Sequence, residues 1–263
     1  MTHRFNGFAA LGDSFTEGMN DLGPDGRYRG WADLVADRLS LGRPELRYAN
    51  LAVRGRLFDA VVDEQVPAAL RLRPDLVSFV AGGNDALRRR FNPQRLGTRL
   101  HEAVRVLTAS GATVILFTSP LPPPGLPAAH LIRTRLSGLN DAVRRVAQRH
   151  SSVLVDLWSD TPLNDRSMWS DDRLHMSPLG HARVAAMVCA ALEVEADEAW
   201  NAAPPPATPA PWTARRREDL KWARGHLAPW VRRRINGISS GDTVTAKRPT
   251  LERLRKAATE AGA

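Results

Sequence analysis

A serine hydroxyl attacks a carbonyl usefully only when a neighbouring base takes its proton, and this chain holds the residues for such a relay in a workable order. Ser14 stands in Gly12-Asp13-Ser14-Phe15-Thr16 at the end of an apolar run, and Asp172-Arg173-Leu174-His175 follows about 160 residues later. Imidazole, with an ordinary pKa of about 6.5, suits proton transfer near neutrality, which makes His175 the candidate base. Asp172, in the same short segment, is placed to accept the other ring N–H and so fix the tautomer. The chemistry expected of the set is acyl transfer through a covalent acyl-serine. That chemistry also needs donors for the developing oxyanion, each worth on the order of 3 kcal/mol in barrier. Three candidates are present: the backbone N–H of Ser14, the backbone N–H of Gly55, and the side-chain amide of Asn84.

These residues must be brought together by the elements between them. Five apolar runs rich in β-branched or aromatic residues lie at Phe5–Leu11, Leu46–Ala52, Leu76–Ala81, Thr113–Thr118 and Val153–Leu157. Helical periodicity fills the intervals, at Trp31–Leu41, Leu57–Leu72, Pro93–Ser110, His130–His150 and Pro178–Glu195. Strand and helix in regular alternation predict a five-stranded parallel sheet with helices on both faces. In such sheets ligands sit at the carboxyl ends of the strands. Ser14, Gly55, Gly82-Gly83-Asn84-Asp85 and the Asp172/His175 segment all follow strands, so they are predicted to share one edge. Ser177 and Pro178 form a helix start just after His175. The segment Leu121–Pro127, with four prolines, reads as a rigid loop at the same edge, more simply a connector than a substrate wall.

No apolar run approaches the ~20 residues of a bilayer span. The sequence passes from Met1 straight into the first strand and the serine motif, which leads us to expect no cleavable signal and a cytoplasmic protein. The lone Cys189 reads as a small buried residue. Asp13 and Asp85 read as loop-bonding groups, His181 as packed or solvent-facing, and Arg54 as a surface arginine that could also meet an anionic substrate.

Together these blocks resemble the SGNH hydrolase superfamily, also called GDSL esterases and lipases: Gly12-Asp13-Ser14, Asn50-Leu51-Ala52-Val53-Arg54-Gly55, Gly82-Gly83-Asn84-Asp85 and Asp172-Arg173-Leu174-His175 stand in the family's order. Phe15 departs conservatively from the usual residue after the serine. The resemblance covers about residues 5 to 195. It implies a flavodoxin-like α/β/α sandwich, a Ser14/His175/Asp172 triad, an oxyanion hole from Ser14, Gly55 and Asn84, and a small-molecule ester as substrate, with no metal or organic cofactor. Short acyl esters are the preferred reading, since no long apolar lid is visible. Lysophospholipids and acyl thioesters on the same triad stay open.

The chain divides, on this reading, into a catalytic domain (1–200), a proline-rich linker (201–211) and a basic extension (212–263). Residues 201–263 hold thirteen Lys/Arg against five Asp/Glu, a net +8 of the chain's +9. Trp212, Leu220 and Trp222, then Leu227, Trp230 and Val231, are expected to be the apolar faces of two short helices docked on the domain. Binding to an anionic membrane through the Arg triplets stays open, and nucleic acid is the less favoured partner. The rival of another class is a non-catalytic binding protein that presents this tail. Gly241-Asp242 and Lys247-Arg248-Pro249 resemble tails of actinobacterial members of the family.

Overall fold

A computed structural model of the chain describes residues 5–123, 125–206, 211–236 and 239–254. The first residues read for a signal (1–4), Pro124, linker positions 207–210 and the tail's Arg255 and Lys256 lie outside the described residues.

Each of the five apolar runs contains a strand: β1 (Gly7–Leu11), β2 (Arg47–Asn50), β3 (Leu76–Phe79), β4 (Thr113–Phe117) and β5 (Val153–Val155). They are mutually parallel. Alternation along β1 feeds two cores, because successive side chains of a strand point to opposite faces. Phe8 and Ala10 pack on one face with Trp31, Leu39, Val184 and Cys189, under α2 (Gly30–Gly42) and the helix Pro178–Ala191. Ala9 and Leu11 pack on the other with Leu100, Leu107, Leu139 and Val143. Those residues belong to the helices Pro93–Ala109 and Ala129–His150. Cys189 is fully buried, and burial pushes its thiol up to about 11.

The remaining helices complete the chain order. They are α1 (Ser14–Glu17), α3 (Phe58–Ala60), α4 (Val66–Leu72), α5 (Gly83–Ala86), α6 (Pro93–Ala109), α7 (Ala129–His150), α8 (Pro178–Ala191), α9 (Trp212–Trp222) and α10 (Ala228–Ile235). The predicted helix Leu57–Leu72 is interrupted by a π-helical turn at Val61–Gln65. Ser177 caps α8 by accepting from the Gly180 N–H at 3.2 Å, with Pro178 in the first position, as its sequence predicts.

The sheet has six strands rather than the expected five. A sixth, β6 (Arg248–Arg253), comes from the basic extension and runs antiparallel beside β2, giving the order β5-β4-β3-β1-β2-β6. Pro249 and the charged Arg248, Glu252 and Arg253 are tolerated because this is an edge strand, where such residues also discourage further pairing.

Beside this strand pairing, three further attachments among the described residues fasten the extension to the α/β core. The Lys247 ammonium is inserted among the carbonyls of Glu17 (2.7 Å), Tyr28 (3.0 Å) and Arg29 (2.7 Å) and the Asp33 carboxylate (2.8 Å). Gly241 lies so close to the Arg54 carbonyl that a Cβ there would overlap it. Trp222 donates its indole N–H to the Asp172 carbonyl at 2.9 Å, and Arg173 lies over its ring while pairing with Asp219 at 2.7 Å. The expected apolar face of α9 is corrected in part: Trp222 is buried, but Trp212 is 70% and Leu220 58% exposed.

Candidate active site

Ser14 is the first residue of α1, set by a sharp turn at the end of β1. Three buried side chains fix that turn. Gln65, in the π-helical turn, bonds both backbone groups of Gly12 at 2.8 Å. Asn50 donates to the Thr16 carbonyl at 2.9 Å. Glu17 accepts from the backbone N–H (2.7 Å) and guanidinium of Arg54. Arg54 also lies 4.9 Å from the Tyr28 ring centroid, so it is committed to the fold rather than offered to a substrate.

The second half of the site is the loop before α8. His175 places Nε2 at 2.9 Å from Ser14 Oγ and Nδ1 at 2.7 Å from Asp172 Oδ2. Because a carboxylate only accepts, Nδ1 carries the proton and Nε2 is left to accept from the serine. Asp172 is held from several sides. Its Oδ1 accepts from the Ser170 hydroxyl (2.7 Å) and from the N–H groups of Leu174 (2.9 Å) and His175 (3.0 Å). Its Oδ2 accepts from Asn20 at 2.8 Å. Burial alone would raise its pKa; the hydrogen bond and charge of His175, with the other donors, outweigh burial and hold it well below the usual carboxylate range. Asp172 is therefore ionised at neutral pH.

The structure brings all five candidate residues to one place. Ser14, Gly55, Asn84, Asp172 and His175 line a single chamber of about 540 Å³. Gly55 has φ +75°, a left-handed conformation that favours glycine, and Ser239 of the extension packs where its side chain would be. Asn84, in α5, turns its amide towards Asp13 Oδ2 and the Arg56 carbonyl, both at 3.0 Å. A substrate oxygen there would share or displace one of these acceptors. The Ser14 N–H lies in the first turn of α1, where helix donors lack intrahelical partners.

A second, apolar cavity of about 150 Å³ opens from the same serine, lined by Val80, Phe117, Leu157, Trp169 and Met176. Pro120, Leu121, Pro122, Pro123 and Leu126 also line it, so the proline-rich loop is a wall of the site rather than a plain connector. No motif in the sequence marks Asn20 or Gln65, and Trp222 is expected there only as part of a helix face, since each supports the site through contacts made across the fold. His181 is fully buried: it accepts from the Trp31 N–H at 3.3 Å, contacts the Met19 carbonyl at 3.2 Å, and is pushed by burial down to about 4. Asp85 accepts from the Phe58 N–H at 2.9 Å. Among the described residues, no cluster of His, Cys, Asp and Glu is arranged to hold a metal ion. Likewise no described helix is long and apolar enough to cross a membrane.

Asp13 gives the site a measurable pH signature. Burial pushes its carboxyl up to about 6, against the opposing pull of the Phe15 N–H and His175. With the folded pKa raised above the unfolded value of about 3.9, its stabilising contribution is complete below pH 4 and is lost as pH rises through 6. The stability of the parent relative to Asp13→Asn should therefore fall by about 2 kcal/mol between pH 4 and pH 7, at ~1.4 kcal/mol per pH unit between the two pKa values. Chemical denaturation at several pH values checks this, and a pH-independent difference refutes it.

An α/β sheet carrying a hydrogen-bonded serine, histidine and aspartate at its carboxyl edge defines the class of protein. Residues 10–183 match the GDSL-like lipase/acylhydrolase family, two thirds of the chain, and the chain belongs to that family. Solved structures share the fold. An α/β hydrolase enzyme, LAE5, from the metagenome of Lake Arreo is 24% identical, with a TM-score of 0.61, covering 75% of this chain and 97% of its own. TesA is 24% identical with a TM-score of 0.59, covering 71% and 98%. The acetylxylan esterase Axe2 from Geobacillus stearothermophilus is 18% identical with a TM-score of 0.59, covering 73% and 97%. No curated protein matches the sequence. The basic extension lies beyond the family match.

Proposed function

We propose that the protein hydrolyses carboxylic esters of short acyl chains through an acyl-enzyme on Ser14. The observation that carries this reading is the continuous chain from Ser14 Oγ to His175 at 2.9 Å and from His175 to Asp172 at 2.7 Å. In it, Ser14 Oγ attacks the ester carbonyl while His175 Nε2 takes the hydroxyl proton. Asp172 stabilises the imidazolium, and the Ser14 and Gly55 N–H groups with the Asn84 amide receive the oxyanion. His175 returns the proton to the leaving group, and water, activated the same way, releases the acid.

The apolar cavity suits the acyl group. Its volume is about that of a buried cavity that accommodates benzene, which favours chains of a few carbons over long fatty acids. The larger chamber is left for the leaving group. A fluorophosphonate probe should label the protein stoichiometrically at Ser14, and Ser14→Ala should abolish labelling. Failure of the parent to label would remove the catalytic reading and favour the non-catalytic binding protein.

A further inference from the structure

The two cavities that meet at Ser14 differ in charge. The smaller is lined by apolar side chains and prolines, with Asp13 the only charged residue besides the histidine. The larger is lined by three arginines, Arg88, Arg135 and Arg233, together with His226, and by one acidic residue, Asp172. That carboxylate is already saturated by His175, Asn20, Ser170 and two backbone N–H groups, so it neutralises none of the arginines.

Apart from the electrostatic pull between Arg88 and the Asp85 carboxyl, the three arginines have no close counter-charge among the described residues. Among the described residues none of the three forms an ion pair, although Arg29, Arg38, Arg54, Arg56, Arg95 and Arg99 all do. The buried Arg88 Nε–H has no acceptor among the described residues. Arg135 donates Nη1 to the carbonyls of Ala86 (2.8 Å) and Arg88 (2.7 Å), which fixes the turn carrying Arg88. Arg233 comes from α10, so the extension adds a cation to a chamber whose floor is built by the rest of the fold. Guanidinium forks match phosphate oxygens two at a time, and a group of them without carboxylates is suited to a multiply charged oxyanion rather than to a neutral alcohol.

We propose that the larger chamber binds a phosphate group carried on the leaving alcohol or thiol of the substrate, with Arg88 and Arg233 as its ligands and Arg135 positioning Arg88. This rests on the esterase reading above. The ester carbonyl then sits at Ser14 with its acyl chain in the apolar cavity and its phosphorylated portion between Trp222 and the turn of Arg88. As the Ser14 Oγ–carbonyl bond forms, the C–O or C–S bond to the leaving group breaks. The departing oxygen or sulfur takes the proton held by His175, and water later hydrolyses the acyl-serine to the free acid.

The test compares kcat/KM on 1-butyrylglycerol 3-phosphate with that on 1-monobutyrin, and adds S-butyryl-phosphopantetheine against S-butyryl-pantetheine to separate an alcohol from a thiol source. At least one phosphorylated member should exceed its neutral partner by about tenfold or more, as expected for charge-assisted bonds. Arg88→Ala and Arg233→Ala should each bring that ratio towards one, while Arg217→Ala, on the outer surface of the extension, keeps it. Calorimetric titration of the Ser14→Ala protein with glycerol 3-phosphate, glycerate and glycerol reads the same site without turnover. Tightest binding of the phosphate, lost in Arg88→Ala, supports the assignment. Ratios near one in both substrate pairs, a ratio insensitive to Arg88 and Arg233, or equal affinity for glycerate overturns it. Loss of all ester hydrolysis with phosphate binding retained would instead remove the esterase reading alone.

Discussion

Ser14→Ala and His175→Ala should each lower kcat/KM for p-nitrophenyl butyrate by about 10⁴-fold or more, and the double variant should be no slower than the slower single one. The non-additivity follows from the geometry. The serine hydroxyl has one proton acceptor at 2.9 Å, and without it the hydroxyl is as unreactive as an ordinary alcohol; without the hydroxyl the imidazole has nothing to activate. Asp172→Asn should lose activity by a comparable factor at neutral pH. An amide facing Nδ1 favours the tautomer that presents a proton, rather than a lone pair, to Ser14. Steady-state kinetics on purified protein checks all four variants, with circular dichroism to confirm folding. A loss below tenfold in either single variant would show that the hydrogen-bonded chain is structural only.

Lys247→Met should destabilise the protein by about 3–5 kcal/mol, the cost of breaking a buried charge pair by removing one partner. For a chain of this size that corresponds to a fall in melting temperature of about 10 °C. The Lys247 ammonium is the cation that pairs with the Asp33 carboxylate, and it also satisfies carbonyls at the end of α1 and before α2. Methionine fills the volume of the stem but leaves these acceptors facing an apolar group. Burial holds the lysine pKa below its ordinary value even with Asp33 beside it. Lys221→Met, at an exposed position of α9, is the control and should change stability by less than about 0.5 kcal/mol. Calorimetry that finds equal melting temperatures for the two variants would refute the role given to Lys247.

The elements that sequence reveals best are those whose signal is local. β1, β3 and β4 are continuous apolar runs because both their faces are covered, and the starts of α6 and α8 are written in Asn92-Pro93 and Ser177-Pro178. The candidate triad was legible for a similar reason: Asp172 and His175 are neighbours in sequence, and Ser14 follows a strand. The sixth strand was not legible, because an exposed edge strand has no apolar alternation to show and Pro249 argues against it. Asn20, Gln65 and Trp222 act through bonds to Asp172 and Ser170, to both backbone groups of Gly12, and to the Asp172 carbonyl. Such partners depend on three-dimensional proximity between segments up to 152 residues apart, which periodicity cannot express. The proline-rich loop was placed at the right edge but given too small a part, since rigidity is visible in sequence and the direction a loop leans is not.

The extension that closes the chamber bears on how the protein is made. Ser14 leaves the ribosome more than 200 residues before Trp222 and Ser239, which complete the walls around it. At roughly 5–20 residues per second, that interval is about 10–40 s. During it the nucleophile can sit on a formed β1 while its base, its third side and the edge strand are still unsynthesised. Until His175 is made the Ser14 hydroxyl of the nascent chain is as unreactive as an ordinary alcohol, and the walls around it are complete only once the extension has been added.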